Sequence, residues 1–557
     1  MYALNEAVAN VRHQIESHDT RFTILVGSLG LLFLLALALR SSPTNQKQAP
    51  MLSETIPYVS NTLQYMTNMN TFLARTKKAL AKRNIVGFRL GGRPFYFLTS
   101  PPNIQTFFRT SPAIGFETFI LVAITNMMGA TPKDVAKFAH DKSGRQPNPA
   151  PGTAEDAKRY WFDMQTMMHK YLSTTHYSDA LARTYQRFFN RELDAYYDSL
   201  LANSSAKDDP EWTEMRIIPL LKATMAKAAI LSLQGEYIFE VVPDLLDRFW
   251  DYDKVLSTIL YGPPKWLFPG VYAKAERFCG ATAKFHQAAV AKFDWEGPDR
   301  EKDWDPVLGS RFWREFSRWL TDCGFTPRTC GGFAGVTGIV AINANTVPVC
   351  TWAIMEMIRG QELLTRLRDE IAGALVEEDG ETRFDLQRLV NLPLLQSVYV
   401  EVMRLRVSIN VTREVVQPLE VDGYLLKPGS VLQAPTEISH YDEAVWGVEG
   451  HPAAEFWAER HVKYVDGVPV FEMRGRPTDF FPYGGGVAIC PGRHFAKQEI
   501  MLTIAMLASK FEYEFVGWVD IASGRPSDRP PINDPKYAGA AGVPPDRDMR
   551  VRVKRLW

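Results

Sequence analysis

One cysteine sits where a metal could use it. Residues Phe480 to Ala496 read FFPYGGGVAICPGRHFA, with Gly484, Gly485 and Gly486 ahead of Cys490 and Gly492 behind it. Glycine permits positive φ and lets the backbone approach a large flat ligand closely. A helical run, Arg493 to Leu507, begins directly after the cysteine. A thiolate beside a helix N-terminus is stabilised by the dipole and by free backbone N–H groups. The same donors tune the electron density of a sulfur bound to a metal. The plainer reading is a glycine-rich loop around a buried cysteine. The other four cysteines, Cys279, Cys323, Cys330 and Cys350, show no paired metal-ligand spacing and no disulfide density. They read as small buried hydrophobes, and an odd total of five fits a reducing compartment.

Two further groupings carry chemistry. Leu394 to Arg406 (LLQSVYVEVMRLR) has a helical apolar stripe, and Glu401 and Arg404, three apart, share one face. Gly331 to Arg359 is a long apolar run containing Ala341-Ile342-Asn343-Ala344-Asn345-Thr346-Val347-Pro348. A proline inside a helix frees the carbonyl four residues back, here Ala344. That opens a groove where oxygen and water could sit beside the Thr346 hydroxyl.

These segments, in this order, resemble the cytochrome P-450 superfamily. Tyr483, Gly486, Cys490 and Gly492 fall on its haem signature: an aromatic, two residues, Gly, three residues, Cys, one residue, Gly. Tyr483 stands where Phe is usual, and Ala488 where a basic residue often reaches a haem propionate. The resemblance implies haem b held by Cys490, whose thiolate pushes electron density onto the iron and favours O–O cleavage. It makes Glu401 and Arg404 two members of a structural triad completed by Arg460, in Phe456-Trp457-Ala458-Glu459-Arg460, with Ala458 where proline is usual. Such a cluster needs every partner. It implies that Arg413 pairs with a propionate, with an exposed strand arginine as the alternative. It also implies that Thr346 relays protons. Asn345 stands where an acid usually precedes that threonine, and Ile342-Asn343 replaces a small Ala/Gly pair. The Asn-Thr-x-Pro variant and Cys490-Pro491-Gly492-Arg493-His494-Phe495-Ala496 are similar to one clan, that of bile-acid-pathway sterol hydroxylases, prostacyclin synthase and related fungal enzymes. Met168-His169-Lys170-Tyr171-Leu172 fits the same clan, with His169 and Lys170 near the haem or on a solvated face.

The activity so implied is monooxygenation. Electrons would come from NADPH through cytochrome P-450 reductase, with cytochrome b5 as a second electron donor. The rival within the fold is a haem-thiolate isomerase or dehydratase acting on a peroxide without a reductase. A non-catalytic haem-binding protein is the rival from another class; it has no need of Thr346 or the kinked helix. The apolar stretches Ile114–Ala130 and Trp250–Phe268 point to a large lipophilic substrate such as a sterol or terpenoid, against ordinary core packing.

The elements that must position these groups follow from pattern. The chain has 557 residues, 46% hydrophobic, which is ample for a large core. Equal counts of 63 basic and 63 acidic residues give no concentrated basic surface for nucleic acid. Phe22 to Leu39 is an uncharged run of 18 residues between Arg21 and Arg40. As a helix it spans about 27 Å, close to the hydrocarbon thickness. It is too long, and too poor in a small-x-small site, for a cleaved signal peptide. Basic residues Arg40, Lys47, Lys77 and Lys78 follow it against Arg12 and Arg21 before it. That weak excess favours a cytosolic catalytic part on a single-pass endoplasmic-reticulum anchor. Asn203-Ser204-Ser205 and Asn410-Val411-Thr412 would then never meet the glycosylation machinery. The expected organisation is a short N-terminal segment (1–21), a transmembrane anchor (22–39), a proline-punctuated linker (40–57) and a catalytic domain (58–557). The domain should be mainly α with small β-sheets: β-like pieces around 87–99 and 411–434, a Pro/Gly-rich loop at 143–153, and helices over most of 155–400.

Overall fold

The computed structural model describes residues 48–109, 111–203, 211–378 and 380–557. The expected anchor at 22–39 and the Ser204-Ser205 pair lie outside them. The chain divides into two compact units.

The smaller unit holds the described residues up to Phe107, with Ser111–Ile114 and Arg413–Gln433. Strands Ile85–Leu90 and Arg93–Leu98 pair antiparallel. They turn through Gly91 and Gly92 at φ +54° and +85°, a conformation glycine adopts without strain. Val431–Gln433 adds in parallel to Phe95–Phe97. Pro50 and Leu52 bond to Gly87, extending the same surface. Helices Ser60–Thr67 and Met69–Leu80 cover it. Phe72 and Phe97 meet the Phe88 ring edge-on at 4.9 and 4.8 Å, contacts worth about 0.5–1.5 kcal/mol each beyond simple burial. A second hairpin, Leu419–Val421 with Tyr424–Leu426, turns at Asp422-Gly423.

The larger unit holds Phe108–Thr110, Gly115–Thr412 and Ala434–Trp557, and it is mainly helical. Ile217–Gln234 and Pro327–Arg359 are long and apolar enough to cross a membrane, yet most of each is buried inside the protein. A helix apolar on every side belongs in a core. Helix Thr175–Asn203, helix Pro393–Arg406 and helix Arg493–Lys510 complete the part of that core used below. An antiparallel sheet runs in the order Pro526–Ser527, Phe511–Val519, Asp548–Arg555, Trp212–Arg216. Residues 143–153 are loop.

Helix Pro327–Arg359 is not uniform. It is α-helical to Gly335, widens to a π turn over Val336–Val340, and resumes over Ala341–Asn343. It breaks at Ala344 and Asn345 and starts again at Thr346. The break is where Pro348, lacking an N–H, leaves the Ala344 carbonyl without its helical donor. The π turn has a different cause. Buried Gln234 sends its amide to the Ala334 carbonyl at 2.7 Å, and a Cβ on Gly338 would lie 1.7 Å from that nitrogen. A side chain inserted into the helical ladder, admitted by a glycine, opens the extra residue.

Candidate functional site

The cysteine loop is shaped by its neighbours before any ligand is considered. Gly484 and Gly486 have φ of +69° and +64°. A Cβ on Gly486 would come within 2.1 Å of the Phe108 carbonyl, and one on Gly485 within 2.8 Å of the Phe108 ring. The crowded glycines thus have a packing cause as well as the ligand cause suggested by sequence. The Cys490 N–H donates to the Tyr483 carbonyl at 3.0 Å, and Arg493 donates to the Cys490 carbonyl at 3.1 Å. Ser173, just past helix Tyr160–Leu172, bonds the Pro491 carbonyl at 3.0 Å. The loop is therefore held from three sides.

At the sulfur itself, burial pushes the thiol pKa up. Hydrogen bonds from the Gly492 and Arg493 N–H groups and the Arg493 charge oppose it. Cys490 is half-buried, whereas the other four cysteines are buried. Among the described residues no cluster of three or more His, Cys, Asp or Glu side chains could hold a bare metal ion. A metal at Cys490 must bring its remaining ligands with it, as the iron of a haem does. A half-buried cysteine whose sulfur faces two backbone donors fits that group.

Tyr483, in place of the usual phenylalanine, has a partner: its hydroxyl lies 2.8 Å from that of Tyr399. Burial raises the pKa of both phenols, so both stay protonated. Sequence reasoning placed Tyr483 and missed Tyr399.

Glu401, Arg404 and Arg460 come together with their side chains fully buried. The carboxylate accepts Arg404 Nε and Nη2 at 2.8 and 2.7 Å and Arg460 Nε at 2.8 Å. Burial would raise its pKa, but the hydrogen bonds from Arg404 and the charges of Arg404 and Arg460 outweigh it, with His461 Nε2 nearby at 3.7 Å, and hold the group at about 2. The spare guanidinium donors reach the carbonyls of His440, Trp446, Pro452, Ala453 and Glu455. The cluster therefore pins the chain between 440 and 460 against helix Pro393–Arg406.

In the central helix, Thr346 is buried and its hydroxyl donates to the Ile342 carbonyl at 2.6 Å. Asn345 Oδ1 accepts the Gly542 N–H at 2.9 Å, so this amide ties the strand Ala540–Gly542 to the helix break. Against Thr346 lies a residue the sequence reading passed over: Glu499, on helix Arg493–Lys510 and fully buried. His169 is half-buried beside Arg493, whose charge adds to burial in lowering its pKa. Lys170 is exposed over the Tyr171 ring. Arg413 belongs to the smaller unit, where it is buried over the Phe107 ring at 5.3 Å.

The family model for cytochrome P-450 matches residues 340–523, the stretch that carries Thr346, Tyr399, Glu401, Arg404, Arg460, Tyr483, Cys490 and Glu499. A cytochrome P-450 monooxygenase of Penicillium decumbens, calL, is 42% identical over 546 residues, 97% of this chain and 99% of its own. The chain belongs to the cytochrome P-450 family. A second cytochrome P-450 monooxygenase, fsoE of Humicola fuscoatra, is 28% identical over 71% of each chain. The cholesterol 7-alpha-monooxygenase of Cricetulus griseus is 28% identical over 38% of this chain and 43% of its own. Among solved structures, cyanobacterial CYP120A1 with retinoic acid bound superposes with a TM-score of 0.58 at 15% identity, covering 92% of this chain and all of that one. The fold is thus that of a cytochrome P-450, mainly helical with small sheets. The protein is a cytochrome P-450 monooxygenase, and membership of this family implies a haem.

Proposed function

We propose that this cytochrome P-450 monooxygenase holds haem b through Cys490 and inserts one oxygen atom of O₂ into a large lipophilic substrate of the sterol or terpenoid kind. Electrons would come from NADPH through cytochrome P-450 reductase, with cytochrome b5 as a second donor. The observation that carries the reading is the cradle at Cys490, a half-buried cysteine whose sulfur faces the N–H groups of Gly492 and Arg493. When bound, a haem-thiolate centre supplies oxygen activation. The chain does the rest. The two N–H groups hold charge on the sulfur, and the Tyr399–Tyr483 pair and the Glu401–Arg404–Arg460 cluster keep its loop in place. Thr346 presents a hydroxyl at the break in the central helix. Arg413 stands as the propionate partner.

Two segments support a lipophilic substrate. The Asn126 amide, on the apolar stretch Glu117–Met127, donates to the Leu260 carbonyl at 2.9 Å, and the Tyr252 hydroxyl donates to the Met127 carbonyl at 2.8 Å. The two apolar stretches singled out in the sequence are thus joined. Beyond them Tyr261, Trp266 and Leu267 are exposed, Trp266 at 81%. Aromatic and apolar side chains left in this way suit a bilayer interface, consistent with a membrane anchor at 22–39, a linker at 40–57, a catalytic domain over 58–557 and residence on the cytosolic face of the endoplasmic reticulum.

The test is microsomal expression with a reductase, labelled dioxygen, and a panel of sterols, terpenoids and lipid peroxides. A product that gains one labelled oxygen only with NADPH, and is lost in Cys490→Ala, supports the reading. Rearrangement of a peroxide without NADPH would replace it with an isomerase.

A further inference from the structure

One buried side chain joins the ion cluster to the cysteine loop. His440 follows the short helix Thr436–Ser439, 36 residues from Arg404 and 41 from Phe481, and has no exposed surface. Its Nε2 lies 3.1 Å from the Phe481 nitrogen, at the start of the loop. Its Nδ1 lies 3.1 Å from the Arg404 carbonyl oxygen. A backbone N–H only donates, so Nε2 must accept. A neutral imidazole has one donor and one acceptor, so Nδ1 carries the proton and donates to the Arg404 carbonyl. Burial chiefly holds the imidazole pKa down, to about 3. The Arg404 charge adds to this, against the pull of the hydrogen bond to the Arg404 backbone. The ring is therefore neutral at physiological pH, in the one tautomer that satisfies both partners.

Both partners need this ring. Arg404 is in the last turn of helix Pro393–Arg406, where carbonyls lack a helical donor. Phe481 lies in an irregular stretch with no strand to receive its N–H. A leucine in place of His440 would pack there and would orphan two buried backbone groups. The connection continues on each side. Arg404 Nη1 donates to the His440 carbonyl at 2.7 Å, so these two residues are doubly linked. In the loop, the Gly484 N–H donates to the Phe481 carbonyl at 2.9 Å and the Cys490 N–H to the Tyr483 carbonyl at 3.0 Å. The imidazole is stacked on the Phe480 ring at 5.2 Å and edge-on to Phe481 at 5.5 Å. Phe481 in turn meets Phe108 edge-on at 5.5 Å, and Phe108 is the residue that crowds Gly485 and Gly486.

We propose that His440 is a positioning residue for the Cys490 sulfur, fixing the start of the cysteine loop to the Glu401–Arg404–Arg460 cluster through the Phe481 N–H. It thereby keeps the sulfur aligned with the Gly492 and Arg493 N–H groups. Outer partners of this kind orient a metal ligand and set how strongly it donates. The inference rests on the proposed ligation of haem by Cys490.

The experiment compares purified holoenzymes carrying His440→Asn and His440→Gln. The Asn amide reaches only the place of Nδ1, so it keeps the donor to Arg404 and loses the acceptor for Phe481. The Gln oxygen reaches the place of Nε2, so it keeps the acceptor and loses the donor. Each variant gives up one buried hydrogen bond, so a role in packing alone affects the two alike. Positioning of the sulfur separates them. In resonance Raman spectra the iron–sulfur stretch should shift in His440→Asn and stay at the parent frequency in His440→Gln. Transfer of haem to apomyoglobin should be about 10- to 100-fold faster from His440→Asn, and close to the parent rate from His440→Gln. Equal stretches in the two variants, or equal rates of haem loss, would overturn the proposal. If His440→Asn keeps no haem, His440→Gln decides: it must retain the ferrous–CO band of a haem-thiolate protein, and loss of that band would overturn the proposal too. Failure of the ligation reading would look different, as an iron–sulfur stretch that survives Cys490→Ala with His440 intact.

Discussion

Replacing Glu401 by glutamine keeps the shape of the side chain and removes its charge. In the native protein Oε1 accepts Arg404 Nη2 at 2.7 Å, Arg460 Nε at 2.8 Å and the Trp457 N–H at 3.2 Å, while Oε2 accepts Arg404 Nε at 2.8 Å. A glutamine has one acceptor oxygen, so at least one Arg404 bond is lost and an NH₂ group faces an N–H donor. Hydrogen bonds to charged groups are worth about 1.5–3 kcal/mol each. Two guanidinium ions also remain buried without their counter-ion, and breaking a buried pair in this way costs about 3–5 kcal/mol. Against a typical total stability of about 5–15 kcal/mol, that is a large share. Urea unfolding of the holoprotein, followed by tryptophan fluorescence, should show the loss, with reduced haem content beside it. The sign with pH is also fixed. The folded carboxyl titrates at about 2, below its ordinary value. Its contribution is complete above the unfolded carboxyl's pKa and is lost as pH falls toward 2. Glu401→Gln should therefore flatten the acid limb of the stability curve. A variant within about 0.5 kcal/mol of the parent, the range of an inert surface change, would refute the reasoning.

Gly486→Ala and Tyr483→Phe probe the cysteine loop, with Gly467→Ala, in the turn between strands Val462–Val465 and Val468–Phe471, as a control. Gly486→Ala must place a Cβ 2.1 Å from the Phe108 carbonyl at φ +64°, and should abolish the ferrous–CO band of a haem-thiolate protein. Gly467→Ala, at φ +79° with nothing within 4 Å, should cost only the left-handed strain of about 1–2 kcal/mol and keep the band. Tyr483→Phe leaves the buried Tyr399 hydroxyl without its partner and should cost about 1–3 kcal/mol in thermal unfolding. The Tyr399→Phe/Tyr483→Phe pair should recover most of that loss.

What the sequence determined lies within a few residues of itself. The Gly91-Gly92 turn, the break ahead of Pro348, the shared face of Glu401 and Arg404, and a cysteine at a helix start are all set by local rules, because backbone sterics and helical spacing act over one to four residues. The folding of 480–496 around Cys490 was legible for the same reason. Tertiary structure decided what those pieces meet. Arg460 is 59 residues from Glu401, and only the family resemblance, not spacing, paired them. Tyr399 and Tyr483 are 84 apart. Gln234 reaches Ala334 across 100 residues to open a π turn that no periodicity predicted. Glu499 shows the difference most clearly. In sequence it is one acid near the start of the run IMLTIAMLA, a small signal of a charge on an apolar helix. Its burial, its missing partners and its place against Thr346 exist only once two helices pack, because the protonation state of a carboxyl is set by the groups around it and not by its neighbours in the chain.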